Sequence, residues 1–241
     1  MKGCVLMSNK VFIGVGHGGS DPGAVANNLK EKDITLQIAL ETKRILVNHN
    51  VNVLMSREKD QNDTVEMEVA KENAFNSDLA VDIHINAGGG DGAEVFHHSL
   101  GGRSKVLATN INNQIIKIGQ NSRGIKTRMS EKTGKEYYMF IRETKGSAVI
   151  VECAFIDNLN DIKIVDEPHE QKVFGKAIAM GILETLNIKY NEGANTPIES
   201  TDSNCIYRVI SGSYKDKQNA ENQVKRLKEL GVDSFIEKQL I

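Results

Sequence analysis

The sequence predicts an α/β protein built on an open, mostly parallel sheet with helices on both faces, followed by a small C-terminal β-α-β segment. Three observations carry that expectation. Short apolar runs alternate with longer stretches of helical periodicity. Several of those runs are apolar on both faces, as strands covered on two sides must be. Composition then changes abruptly after residue 188, where the chain turns polar and loses its periodicity. The chain has 241 residues, 39% of them hydrophobic and 26% charged, a size and balance that suit one domain with a small appendage.

The elements follow in order. Residues 11–15 form a first strand that runs into a glycine-rich turn. A helix follows from Asp33, a suitable N-cap, with Ile34, Ile38, Ile45 and Leu46 at helical spacing. Residues 51–55 form a second strand, and residues 64–76 a helix with Val65, Met67, Val69, Ala70 and Ala74 as its apolar positions. Strands are expected over residues 79–85 and 93–96, a helix over 105–118, an extended segment over 137–141 and a wholly apolar strand over 148–151. A final helix spans 171–186, burying Val173, Phe174, Ala177, Ile178 and Ile182. Residues 189–204 read as a linker. Beyond it a strand over 206–210, a helix over 216–230 and a strand over 233–237 make the terminal segment.

Composition excludes several functions. With 30 Lys and Arg against 32 Asp and Glu, the net charge is −2, which rules out binding nucleic acid through bulk positive charge. No apolar run approaches the ~18–20 residues of a membrane-spanning helix, so no membrane insertion is expected. Near the N-terminus only Val5, Leu6 and Met7 form an apolar stretch, short of a signal peptide. The expectation is synthesis in the cytoplasm without a signal peptide, with any later export by another route. Cys4, Cys153 and Cys205 are odd in number and lack C-x-x-C spacing, so neither a disulfide framework nor a thiolate metal site is expected. Cys153, in an apolar run, reads as a small buried hydrophobe.

Gly14-Val15-Gly16-His17-Gly18-Gly19 formally matches a nucleotide-binding glycine pattern. In a dinucleotide fold the helix begins inside that motif. Here Ser20-Asp21-Pro22-Gly23 prolongs the loop, so the glycines serve a sharp turn around His17 instead. In the third strand, period two places Val81, Ile83 and Ile85 on one face and Asp82, His84 and Asn86 on the other. Glu152 directly follows four apolar residues. His17, His84 and Glu152 therefore fall at the C-terminal ends of parallel strands, where open α/β sheets place their ligands. Glu31 sits just before a helix N-terminus near the same edge. Two imidazoles and one carboxylate are a hydrolytic zinc composition, and a remaining glutamate supplies a base. Taken singly, each histidine reads more readily as a structural residue and each glutamate as a surface charge; four of them at one sheet edge favour a site.

Five motifs occur in order: residues 15–24 (Val-Gly-His-Gly-Gly-Ser-Asp-Pro-Gly-Ala), 29–33 (Leu-Lys-Glu-Lys-Asp), 82–87 (Asp-Ile-His-Ile-Asn-Ala), 142–145 (Arg-Glu-Thr-Lys) and 151–156 (Val-Glu-Cys-Ala-Phe-Ile). Over residues 10–188 the chain resembles the zinc-dependent N-acetylmuramoyl-L-alanine amidases of the Amidase_3 family. The resemblance implies zinc on His17, Glu31 and His84, with Glu152 catalytic. It implies a peptidoglycan substrate cut between N-acetylmuramic acid and L-alanine, with Arg142 and Asn86 as weaker candidates for substrate contact. The family often has Asp-Pro-Gly-His where this chain has Gly14-Val15-Gly16-His17. Members that act in cell division carry a long inhibitory insertion after the second histidine, whereas only residues 88–92 stand there here, which implies a site open without an activator. Residues 205–241 resemble a sporulation-related (SPOR) repeat, normally a doubled β-α-β unit. A single unit implies cell-wall binding or a homodimer that completes the pair. The resemblance suits a phage endolysin or a mother-cell lytic enzyme of sporulation. The alternatives are a non-catalytic wall-binding protein and a zinc peptidase or deacetylase on a related substrate. His97 and His98 follow a strand but point to opposite faces; His49 and His169 read as surface or capping residues.

Overall fold

The computed structural model describes residues 9–192, 216–229 and 236 of the chain. It divides into two compact units, Met1–Thr196 and Pro197–Ile241. In the first, the chain runs through β1 (Lys10–Val15), β2 (Val25–Ala26), β3 (Leu29–Lys30), α1 (Glu31–Asn48), β4 (Asn52–Met55), α2 (Val65–Phe75) and β5 (Leu79–Asn86). It continues through β6 (Ala93–His97), α3 (Gly102–Lys117), β7 (Ser122–Lys126), α4 (Met139–Glu143), β8 (Ser147–Phe155), a 3-10 turn (Ile162–Ile164) and α5 (Pro168–Thr185). In the second unit the described residues form α6 (Lys217–Glu229), the helix expected over 216–230. The strand expected over 206–210 lies outside the described residues; of the one expected over 233–237 only Ile236 is described, exposed and outside any strand.

Six strands make the main sheet in the order β4-β1-β5-β8-β6-β7. β4, β1, β5 and β8 are parallel; β6 runs antiparallel to β8 and is followed in parallel by β7. The sheet is thus mixed and mostly parallel, as the apolar runs require. Alternation along the strands sends Val11, Ile13 and Val15, Leu79, Val81 and Ile83, and Val149 and Val151 to one face with α1, α3 and α5. Phe12, Ala80, Ala148 and Ile150 face the other way, with Val69 of α2 and Phe140 and Ile141 of α4.

Several local expectations are corrected. α1 begins at Glu31 rather than after Asp33, and Lys30 stands at its cap without a side-chain bond. The loop just before β2 supplies the cap instead, since Glu31 N donates to Ala24 O at 2.9 Å and Lys32 N to Pro22 O at 3.2 Å. Backbone carbonyls thus satisfy donors that a helix start leaves unpaired. The segment 137–141, expected extended from its aromatic and β-branched content, turns into α4. Arg142 holds the chain there, donating to Glu136 O at 2.7 Å, while Phe140 packs 6.3 Å from the Phe12 ring. β8 runs on past residue 151 to Phe155, so Glu152 lies within the strand. β7, with Ser, Arg, Gly and Lys among its five residues, carries no apolar alternation and was invisible to periodicity.

In α2 the buried face is charged. Met67, Ala70 and Ala74 are exposed, whereas Glu68, Val69 and Glu72 are buried. Glu72 accepts from Lys145 N and Gly146 N, both at 3.0 Å, and from the Ser77 hydroxyl at 2.7 Å. It replaces the partners that backbone donors at the start of β8 would lack. Glu72→Ala should therefore lower stability by about 2–4 kcal/mol, by the cost of leaving buried donors unpaired. Met67→Ala, though it removes an apolar group from a helix, should change stability by less than about 0.5 kcal/mol. Urea unfolding of the two variants checks this; equal effects would show that α2 docks through its apolar residues.

Candidate metal centre

The centre is built where β1, β5 and α1 meet. β1 ends at Val15, and the chain reverses through a bridge in which Gly18 N donates to Asp21 O at 2.9 Å and Asp21 N to Gly18 O at 3.1 Å. That reversal places His17 in the left-handed region, φ +65°, a strained position for a residue with a Cβ. Gly16 and Gly23 leave the room the cluster needs. A Cβ at Gly16 would lie 2.5 Å from the His84 ring, and one at Gly23 would lie 2.6 Å from both Glu31 Oε2 and the His17 ring.

Glu31 is buried and held between the two histidines. Its Oε2 lies 3.1 Å from His17 Nε2 and its Oε1 lies 3.0 Å from His84 Nδ1. Each oxygen also accepts a backbone N–H, from Ala24 at 2.8 Å and Ile85 at 2.9 Å, so the carboxylate cannot rotate. One ligating atom from each of His17, Glu31 and His84 lies within 4.8 Å of the others. The far nitrogen of each imidazole meets another carboxylate: His17 Nδ1 lies 2.8 Å from Asp21 Oδ2, and His84 Nε2 lies 3.1 Å from Asp82 Oδ2. Arg57, 2% exposed, clamps the backbone on both sides of the cluster. Its guanidinium donates to Val15 O at 3.1 Å, Gly16 O at 3.2 Å and Lys32 O at 2.7 Å.

The electrostatics follow from that packing. Burial disfavours the charged form of Glu31, but two facing imidazoles outweigh it and hold the carboxylate well below its usual range. Burial likewise works against a charged His17 and His84. Glu31 and Asp21 nonetheless raise His17, and Asp82 and Glu31 raise His84 well above its ordinary value. Such a cluster concentrates positive charge around one carboxylate. A divalent cation satisfies the same two nitrogens and one oxygen, so the residues present fit a metal ion.

Glu152 is the register partner of His84 across β5 and β8, and of Glu94 across β8 and β6. Burial pushes its carboxyl up to about 7, against the pull of His84, and the charges of Glu31, Asp82 and Glu94 add to the rise. Glu94 is itself covered from β7 by Arg123 and by Lys126 Nζ at 2.9 Å, which relieves the repulsion of two acids directly opposite each other. His17, His84 and Glu152 share a cavity of about 690 Å³ with Asn62, Tyr137 and Phe140.

His17, Glu31, His84 and Glu152, singled out from the sequence, thus converge. Arg142 and Asn86 do not line the cavity. Arg142 is engaged by Glu143 and the carbonyls of Glu136 and Tyr137, and Asn86 Oδ1 accepts from Ala87 N at 2.8 Å. His97 ends β6, whose reversed direction carries it to the register of Val149, away from Glu152. His49 caps α1, its Nδ1 donating to Ile45 O at 2.7 Å. Sequence reasoning missed Asp21, Arg57 and Glu68 and gave Asp82 no role. Asp21 was legible in retrospect, four residues from His17; the buried arginine and glutamate carry no local signal.

The chain is similar to known proteins in sequence and fold. The model of the N-acetylmuramoyl-L-alanine amidase family Amidase_3 matches residues 11–184. The chain is 31% identical over 231 residues to the sporulation-specific N-acetylmuramoyl-L-alanine amidase of Bacillus subtilis (strain 168), covering 94% of this chain and 84% of that one. It is 35% identical over 200 residues to the endolysin of Bacillus phage SPP1, covering 79% and 71%. Among solved structures, the catalytic domain of CwlV, an N-acetylmuramoyl-L-alanine amidase from Bacillus (Paenibacillus) polymyxa var. colistinus, superposes with a TM-score of 0.67 at 27% identity, over 75% of this chain and 99% of that one.

Glu68 gives the site a pH signature. Its Oε1 accepts from Val15 N at 3.1 Å and the Ser56 hydroxyl at 3.0 Å. Burial, with Asp82 adding to it, pushes its carboxyl from 4.5 up to about 8. Between those values the unfolded chain loses the proton and the folded chain keeps it. Stability therefore falls as pH rises through that window, by up to about 1.4 kcal/mol per unit, and the fall ends above the folded value. In Glu68→Gln the fall between pH 5 and 8 should be markedly shallower. Equal slopes for parent and variant in denaturant titrations of metal-free protein would show that Glu68 is ionised in the fold.

Proposed function

We propose a reaction for this centre from one premise: the chain belongs to the Amidase_3 family of N-acetylmuramoyl-L-alanine amidases. It is an enzyme that hydrolyses the amide joining N-acetylmuramic acid to the L-alanine of the peptidoglycan stem peptide. The observation that carries the mechanism is the convergence of His17, Glu31 and His84 on one point, with Glu152 on the adjoining strand lining the same cavity.

The ion is zinc, held by His17, Glu31 and His84; two nitrogens and one carboxylate oxygen with a further position free are the donor set of a hydrolytic zinc site. When bound, zinc polarises the scissile carbonyl and lowers the pKa of the attacking water. Glu152 accepts the proton of that water and returns it to the departing alanine nitrogen. Its burial supports this, because a carboxyl pushed toward neutrality both takes and gives a proton near pH 7. Asp21 orients the His17 imidazole, and the reversal at residues 18–21 with the Arg57 clamp keeps the centre assembled before substrate arrives. The loop after β5 is short and tied down, Gly88 N and Gly89 N donating to Asp157 Oδ2 at 2.8 and 2.9 Å. That supports a site open without an activator.

The unit Pro197–Ile241 is read as a separate module that attaches the enzyme to the wall, consistent with its compactness and its amphipathic α6. The enzyme is made in the cytoplasm and meets the wall once the membrane is breached, by a phage pore or by lysis of the cell. Similarity to both a sporulation amidase and a phage endolysin supports that setting.

Purified protein should carry about one zinc per chain, and digested walls should release intact stem peptides with a free L-alanine amine, read by mass spectrometry. Glu152→Gln should keep the zinc while turnover falls roughly 10²–10⁴-fold. A chain ending at residue 196 should release the same peptides from solubilised fragments. Muropeptides cut elsewhere in the stem, or deacetylated sugars, would favour a peptidase or deacetylase, and intact walls a binding protein. Loss of zinc in Glu152→Gln would make Glu152 a ligand instead of a base.

A further inference from the structure

We propose that Asp82 is a positioning residue of the metal centre, and that Gly14 keeps open the space its carboxylate occupies. The inference rests on the reading of His17, Glu31 and His84 as metal ligands. His84 turns Nδ1 toward Glu31, which leaves Nε2 facing Asp82 Oδ2 at 3.1 Å. Asp82 and His84 stand two residues apart on β5, so their side chains share a face. Asp82 is 2% exposed and, among the described residues, its Oδ2 bonds His84 Nε2 and no backbone donor. Its other oxygen, Oδ1, is buried without a partner among the described residues.

A buried carboxylate with an unpaired oxygen is costly, and nothing in the packing of the sheet recovers that cost. Glu72 supports backbone donors; Asp82, among the described residues, supports an imidazole alone. What it provides is orientation. A carboxylate on the far nitrogen of a ligating histidine fixes the tautomer, holds the ring and raises the basicity of the ligating nitrogen. Asp21 stands in the same relation to His17, but at the exposed mouth of the site.

Gly14 completes the arrangement. It is the register partner of Asp82 across β1 and β5. A Cβ at position 14 would lie 2.6 Å from Asp82 Oδ1 and 2.9 Å from its Cγ. Only a residue without a side chain lets the Asp82 carboxylate lie against the backbone of β1. The same closeness means that an aspartate at position 14 would enter the space of the Asp82 carboxylate, so the two are alternatives.

The test is zinc affinity, measured by competition with a chromophoric chelator on proteins shown by circular dichroism to be folded. Asp82→Asn, which preserves shape, and Asp82→Ser should each bind zinc about 10–100-fold more weakly than the parent. Gly14→Asp combined with Asp82→Ser should recover at least tenfold of a hundredfold loss, or most of a smaller one. A merely structural role for Asp82 would leave the zinc affinity of folded Asp82→Asn at the parent's, because that variant keeps the packing at position 82. Affinity within threefold of the parent in either single variant would overturn the proposal. So would a double variant that binds no more tightly than Asp82→Ser, or that fails to fold. A parent that holds no zinc would remove the metal reading and this proposal with it; a parent that holds zinc beside unaffected variants overturns this proposal alone.

Discussion

The Glu31 carboxylate is the constraint on which the rest of the centre depends. It stands at the first residue of α1, where the helix dipole and the unpaired N–H groups favour negative charge. It is buried, accepts two backbone donors and faces both imidazoles. Three distant parts of the chain, the turn after β1, the start of α1 and the end of β5, are therefore referred to one side chain. The glycines at 16 and 23 and the Arg57 clamp read as consequences: each removes an obstacle to that carboxylate or fixes the backbone that surrounds it.

Carboxylates perform a second task at both ends of the sheet's strands. A parallel sheet leaves backbone donors unpaired where its strands begin and end, and burial makes each one expensive. Glu68 answers Val15 N, Glu72 answers Lys145 N and Gly146 N, and Asp161 answers Gly92 N and Phe155 N, both at 2.8 Å. The interior next to the centre is thus acidic for structural reasons before any catalytic one. Burial, with the charges of Glu31, Asp82 and Glu94 beside it, raises Glu152 and lets a base and a metal cluster lie on adjoining strands without further machinery.

Much of this was legible in the sequence. Strands apolar on both faces announced the covered sheet, and period two in residues 81–86 separated the core side of β5 from the side that carries His84. His17, His84 and Glu152 were found because titratable residues at the ends of apolar strands need an explanation; Glu31 was found by its place before a helix near the same edge and by the resemblance to the amidases. Other parts were hidden for definable reasons. α2 buries Glu68 and Glu72 beside Val69, so three of its five apolar positions, Met67, Ala70 and Ala74, pointed to the wrong face. β7 stands at an edge with charges that answer Glu94, so it lacks a hydrophobic pattern. Arg57 and Asp82 act through partners that are neighbours only in the folded chain, and no local spacing reveals them.

The central claim is that one metal ion binds His17, Glu31 and His84 together. Diffraction from crystals grown with zinc, with anomalous data on both sides of the zinc edge, tests it most directly. The account predicts one strong anomalous peak within about 2.0–2.2 Å of a nitrogen of each histidine and an oxygen of Glu31. A peak displaced to other residues, or a site where Glu31 still bridges two imidazoles with no ion between them at saturating zinc, would contradict it.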